Sequence, residues 1–402
     1  MPIWVRFSLS LLTALLFSLG ASPASPASLE AQAKKLRAEI RKEAGLRPPP
    51  VPIPANNPQT QAKVRLGEAL FFDPNLSGCG NVKSVACATC HLPEKGFSDG
   101  LVVSRGCKGA RGRRNTQTVY QTAYLSHLFW DGRVQSLEQQ ALDPVVDPAE
   151  MANTWDHVLA YLKTGTHPET GKTFPEAQQF YAQYFAKVFD GEISSTTVAK
   201  AIAAYERTVN SWNAPFDRWL RGNDAALSPA QKKGLVVFFG RGKCAGCHNP
   251  PHFTDSDFHN LGVPNAGYEK PEQFPSNAAI CTGITPNVDP GRAEVPALQA
   301  SCEDVATFKT PTLRNVALTA PYMHNGAFAT LEAVMAHFEA LAQGTIAPLA
   351  GELDTDVRKG AFLFGAGGGE ADDAANMVAF MQALTGSQMV GPQGGVAPPK
   401  LP

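Results

Sequence analysis

The chain has 402 residues, 44% of them hydrophobic and 18% charged, and its 35 Lys+Arg against 36 Asp+Glu leave a formal net charge of −1. Without a basic field, nucleic acid is not an expected partner. The length suits two domains of ordinary size, and the composition excludes intrinsic disorder for the bulk of the chain.

The first predicted segment is an address. Arg6 precedes an apolar run from Phe7 to Leu19, and a string of small residues from Ala21 to Ser28 follows, the order of a secretory signal peptide. The run is shorter than the ~20 apolar residues that a membrane span needs, and no Cys follows it to carry a lipid. Residues 1–28 are therefore expected to be a leader, and the rest an exported protein without a stable membrane anchor. Leu29 to Ala44 has helical periodicity with alternating Lys, Arg and Glu, and Pro48 to Pro54 breaks it into an extended strap.

Export makes the 8 cysteines informative. Four fall in two copies of one pattern, Cys87-Ala88-Thr89-Cys90-His91 and Cys244-Ala245-Gly246-Cys247-His248. Each is C-x-x-C-H, the attachment signal for c-type haem. The two thiols add across the vinyl groups, and the adjacent His is placed to bind iron. One C-x-x-C and a His are an incomplete zinc set, and a thioredoxin-like pair does not call for the His.

Thr154 to Phe189 and Thr196 to Leu220 read as helices rich in Ala, Tyr and Phe. Ser228-Pro229 opens another, with Ser as N-cap and Pro at the first helical position, running up to the second motif. Thr330 to Ala342 reads as a further helix. Strand-like alternation is sparse, so the expected fold class is mainly α: two cytochrome c-like haem domains with long loops. One motif in each half predicts a first unit at 29–225 and a second at 226–385, with a Gly- and Pro-rich flexible tail at 386–402. The glycine run Gly365 to Gly369 lacks the context of a phosphate loop, and no G-x-S-x-G or H-E-x-x-H is present.

Around the motifs a longer signature runs in order. It comprises Leu70-Phe71-Phe72-Asp73-Pro74, Gly96-Phe97-Ser98-Asp99-Gly100, Arg114-Asn115-Thr116, Phe129-Trp130-Asp131-Gly132-Arg133 and Asp147-Pro148-Ala149-Glu150-Met151. The second half continues it with Phe258-His259-Asn260-Leu261-Gly262, Phe308-Lys309-Thr310-Pro311-Thr312-Leu313-Arg314-Asn315 and Thr319-Ala320-Pro321-Tyr322-Met323-His324-Asn325-Gly326. This resembles the bacterial di-haem cytochrome c peroxidase and MauG family over nearly all of the chain after the leader.

The resemblance implies two covalent c-type haems, a calcium ion at the interface between the domains and a periplasmic location. The first haem, held by Cys87, Cys90 and His91, meets peroxide; the second, held by Cys244, Cys247 and His248, takes or holds electrons. Trp130 resembles the Trp between the haems. Glu150 resembles the distal acid that moves a proton between the peroxide oxygens, with Gln140 and Pro144 completing its wall. Asn115, Thr319 and Pro321 resemble the calcium set, one side-chain and two backbone oxygens for a hard cation.

Two departures limit the analogy. In the peroxidase branch a His on a mobile loop before the calcium Asn blocks the first haem until the second is reduced; here the position is Cys107. A thiolate there is one possibility, but in an oxidising compartment a disulfide is the better reading. Cys79 with Cys107 is the chosen pair because it brackets the first motif, leaving Cys281 with Cys302. The first haem is then expected to be open and to react with H2O2 without prior reduction, as in the MauG branch, unless a displaced His127 or a thiolate occupies it. The second departure is Phe338, where the family places a Met or Tyr ligand to the second haem. Met335 is one turn back on the same helical face, His337 points about 100° away, and an open or water-bound iron is the third alternative.

Three functions follow from the sequence. The first is a peroxidase reducing H2O2 with electrons from a small cytochrome c or copper protein. The others are a MauG-like oxidase acting on side chains of a protein substrate, and a non-catalytic di-haem electron-transfer cytochrome, which leaves Glu150 unexplained.

Overall fold

The computed structural model describes residues 26–80, 84–265, 288–296, 298–346, 353–354 and 369–387. The leader up to residue 25, Cys281, and the expected tail beyond residue 387 lie outside the described residues. Cys302 is disulfide-bonded.

The first half is built on α2 (Gln61–Phe72), the short motif helix α3 (Cys87–Cys90), α4 (Leu137–Gln140), α5 (Asp143–Val146), α6 (Trp155–Thr164), α7 (Pro175–Phe189) and α8 (Ser195–Glu206). It is preceded by α1 (Pro26–Ala44), which starts earlier than the Leu29 expected. The second half has α9 (Pro215–Leu220), α10 (Pro229–Phe239), α11 (Leu331–Ala342) and α12 (Asp373–Gln382). The sheet among the described residues is one antiparallel pair, β1 (Phe258–His259) with β2 (Phe308–Lys309). The expectation of a mainly helical chain with long loops holds.

Local chemistry sets the helix limits. Ser228 accepts the amide of Gln231 and caps α10, with Pro229 at its first position. Thr330 caps α11 through Ala333. The stretch 154–189 is broken where Gly165, with φ of 68°, ends α6 and Pro175 starts α7. The stretch 196–220 is broken after Arg207, and Pro215 restarts it as α9.

Two hydrophobic clusters organise the chain. One joins α2, α6, α7 and α8 through Leu70, Phe71, Tyr161, Tyr181, Phe185 and Tyr205. The other joins α10, α11 and α12 through Leu235, Phe238, Met335, Met377 and Phe380. Although α1 comes first in the chain, it lends Ala33 and Ile40 to the second cluster, and α9 lends Phe216 and Trp219. Each cluster has a helix crossing closed by glycine: a Cβ on Gly67 would stand 1.8 Å from Ala201 O, and one on Gly234 1.9 Å from Asn376 O. These crossings, α2 on α8 and α10 on α12, hold the helix that leads into each C-x-x-C-H motif.

Candidate functional site

Each motif opens onto its own cavity, and the loop that follows it is built the same way twice. His91 Nδ1 lies 3.1 Å from Phe97 O, and His248 Nδ1 lies 3.0 Å from Phe253 O. Phe97 and Phe253 both take left-handed backbone, with φ of 58° and 56°, which turns their carbonyls back toward the rings. The next hydroxyls repeat the pattern: Ser98 donates to Thr116 O at 3.1 Å and Thr254 to Thr310 O at 2.7 Å. With Nδ1–H committed to a carbonyl, Nε2 is the ring atom left for a metal. Burial lowers the pKa of both imidazoles and keeps them in the neutral, ligating form.

None of the four motif cysteines is in a disulfide. Burial pushes the Cys87 thiol up, and those of Cys90 and Cys244 to about 12. Paired cysteines and an imidazole on the wall of one cavity are the donor set that covalent c-type haem requires.

The first cavity, of about 410 Å³, falls in the range of small-molecule sites. Its walls bring together Cys87, Cys90, His91, Gln140, Pro144, Glu150 and Trp130, along with Asn115, Thr319 and Pro321. The second, of about 180 Å³, is lined by Cys244, Cys247, His248, Met335 and Phe338. Trp130 lines both. Its indole N–H donates to Asn115 O at 2.8 Å, and its carbonyl accepts the amide of Lys309 at 2.8 Å. The wall between the cavities is thus tied to segments from both halves.

Glu150 sits on the turn after α5, where its amide donates to Asp147 O at 3.1 Å. Burial, reinforced by the charge of Asp147, raises its carboxyl to about 7, with Arg133 opposing. That value suits a group that must both take and return a proton near neutrality. Asn115 spends its side-chain N–H groups on Leu101 O at 2.8 Å and Val102 O at 3.3 Å. Its Oδ1 is the atom a hard cation would use.

The structure separates several alternatives. Cys79 and Cys107 form the expected disulfide across a separation of 28 residues, so Cys107 is no thiolate. His127 lies against Phe258, with ring centroids 5.3 Å apart, and does not line the first cavity. Among the described residues, His91 is the one histidine in that lining. Met335 faces the second cavity, whereas His337 turns to Leu261 O at 2.9 Å.

Sequence reasoning missed three lining residues. Glu206, on α8, faces the first cavity with an Oε2 that has no hydrogen-bond partner, and burial raises its carboxyl to about 8. Its sequence signal was a lone acid one turn beyond Ile202 on an apolar helix. Lys309 is buried and lines both cavities, and burial lowers its ammonium to about 8. His259 lines the second cavity between Asp255 at 3.1 Å and Asp354 at 2.7 Å, and those carboxylates outweigh burial to hold its ring protonated. The last two stood inside the quoted signature without a role.

The profile of the di-haem cytochrome c peroxidase family matches residues 61–225. The cytochrome-c peroxidase IdrP1 of Denitromonas iodatirespirans is 39% identical over 306 residues, 73% of this chain and 76% of that protein. The methylamine utilization protein MauG of Methylorubrum extorquens is 37% identical over 321 residues, 79% of each chain. Among solved structures, a MauG-like protein associated with microbial copper homeostasis superposes with a TM-score of 0.67 at 28% identity, over 88% of this chain and 96% of that one. The diheme peroxidase BthA from Burkholderia thailandensis E264 shares the fold, with a TM-score of 0.61 at 23% identity over 84% and 90% of the two chains. Paired cavities, each opening on a thiol–thiol–imidazole set, and relatives matched over most of their length lead to one assignment: the chain is an enzyme of the di-haem cytochrome c peroxidase and MauG family of oxidoreductases.

Proposed function

We propose that this is a periplasmic peroxidase that reduces H2O2 to water with electrons from a small cytochrome c or copper protein. The observation that carries the reading is the asymmetry of the cavities: Glu150 and Gln140 line the first and not the second, while Trp130 lines both. Cys87, Cys90 and His91 would hold one haem, which would supply the redox iron for O–O cleavage, and Cys244, Cys247 and His248 would hold the other, which would supply the second electron. The chain does the rest. Glu150 takes the proton from the inner peroxide oxygen and returns it to the outer one, which leaves as water. Gln140 and Pro144 close the wall around that transfer. Trp130 fills the partition with an aromatic path. Asn115, Thr319 and Pro321 offer oxygens to one calcium ion, and the wall they line joins the two halves. Met335, on the wall of the second cavity, would be the side chain that ligates the second iron. The two proposed haem units are residues 29–225 and 226–385, except that α1 and α9 of the first span pack into the core of the second.

A MauG-like oxidase is the second reading, favoured by the absence of any histidine but His91 from the first cavity lining among the described residues. Such a site is ready for peroxide before any reduction. The test mixes the diferric protein with H2O2 and then adds reduced cytochrome c. Immediate reaction followed by steady turnover of the cytochrome supports the peroxidase. Immediate reaction without turnover supports the oxidase, and no reaction until an electron is added removes the open first site.

A further inference from the structure

We infer that the Cys79–Cys107 disulfide is a clamp that positions Glu150 in the first cavity; the inference rests on the proposed role of that acid. Two Gly-Cys dipeptides, Gly78-Cys79 and Gly106-Cys107, grip the turn that carries Glu150. Gly78 N–H donates to Met151 O at 2.8 Å, and Cys107 N–H donates to Glu150 O at 2.7 Å. The sulfurs join the two grips, with Cα atoms 5.0 Å apart. Glycine is what lets each come close: a Cβ on Gly78 would stand 2.2 Å from Ala152 O, and one on Gly106 2.1 Å from Ala149 O and 2.3 Å from Glu150 O. The hold continues on the far side of the turn, where Asn153 Nδ2 donates to Leu76 O at 2.9 Å.

A staple that merely stabilised the core would have no need to bond the backbone of the acid's own residue. Here the carbonyls of Glu150 and Met151 are the ones bonded, so moving either Gly-Cys unit moves the carboxyl. Both cysteines are buried, at 1% and 2% exposure. A thiol in solution cannot reach them while the fold is closed, so the bond works as a permanent clamp and not as a redox switch. With the turn held, the Glu150 carboxyl stays away from water and beside Asp147, Asp143 and Arg133, the charged side chains that act on it.

The test uses the diferric holoprotein carrying C79A/C107A and two readouts. Amide hydrogen exchange of residues 145–153 should become at least about tenfold faster than in the parent. The pH inflection of the bimolecular reaction with H2O2, set by Glu150 near 7 in the parent, should fall by about one pH unit or more as the acid meets water. Unchanged exchange, or an unchanged inflection, overturns the clamp. Gly106→Ala keeps the sulfur bond but pushes the carbonyls of residues 149 and 150 away, and it should shift the same inflection, which tests the grip on the turn; if C79A/C107A does not take up haem, C79S/C107S carries the two readouts for the bond itself. Glu150→Gln in the disulfide-intact protein separates the two failures. If that variant reacts at the parent rate, the acid lies elsewhere, and the exchange readout alone decides the clamp.

Discussion

Glu150 and Glu206 are the same side chain reaching one cavity from different elements, a turn and α8. Burial raises both carboxyls and an arginine opposes it at each, Arg133 for Glu150 on its turn and Arg207 for Glu206 on α8, where one carboxylate oxygen has no hydrogen-bond partner. To accept the peroxide proton Glu150 must be ionised, so the rate constant for H2O2 should rise with pH through about 7 and level off above it. Glu150→Gln should flatten that profile and lower the plateau by roughly 10²–10⁴-fold, the size of lost acid–base help. Stopped-flow measurement across pH 5 to 9 checks it. Glu150 was legible because its Asp-Pro-Ala-Glu-Met context is specific. Glu206 and Lys309 were not, because a sequence shows that an acid or base is present without showing that its head group faces a cavity.

At the level of elements, what the sequence carried was punctuation. Ser228, Pro229 and Thr330 place α10 and α11 because the cap is a local bond between a side chain and an amide two or three residues on. The breaks inside 154–189 and 196–220 were harder, since apolar spacing persists across them and only Gly165, Pro175 and Pro215 mark the turns. Helical phase separates the two candidates on α11. Met335 reaches the second cavity, and His337, two residues on, turns to Leu261 instead. Met335→Leu should therefore remove the near-infrared charge-transfer band of a methionine-bound ferric haem and lower the potential of the second haem. A His337→Leu variant, by contrast, should keep that band. Optical spectra of the two diferric variants check the assignment.

Across the whole molecule, the contact between halves is ionic where it meets Trp130. Arg114, from the first half, donates to both oxygens of Asp289 at 2.7 and 2.8 Å, and to Asp131 at 2.6 Å. Asp131 and Asp289 are each 1% exposed. Burial opposes the charge on Asp289, but Arg114 beside it holds the carboxyl below its ordinary range. Residues 114–115 thus meet residues 130–131 twice, once through this ion pair and once through the indole N–H on Asn115 O. No part of this was legible in the sequence: the Arg-Asn-Thr and Trp-Asp-Gly-Arg segments were seen as signatures, but pairing between distant segments leaves no local pattern. Arg114→Ala would take the guanidinium away from buried Asp289 while Asp131 keeps Arg133 at 3.1 Å, and a one-sided break of a buried pair costs about 3–5 kcal/mol. The urea midpoint should fall accordingly. Because the same brace fixes the indole between the cavities, the variant should also slow electron transfer between the haems while its initial reaction with H2O2 stays near the parent rate, as Trp130→Phe should do with a smaller loss of stability, that of the one indole hydrogen bond. Equal loss of stability with an unchanged inter-haem rate would make Arg114 a support of the interface alone and not of the electron path.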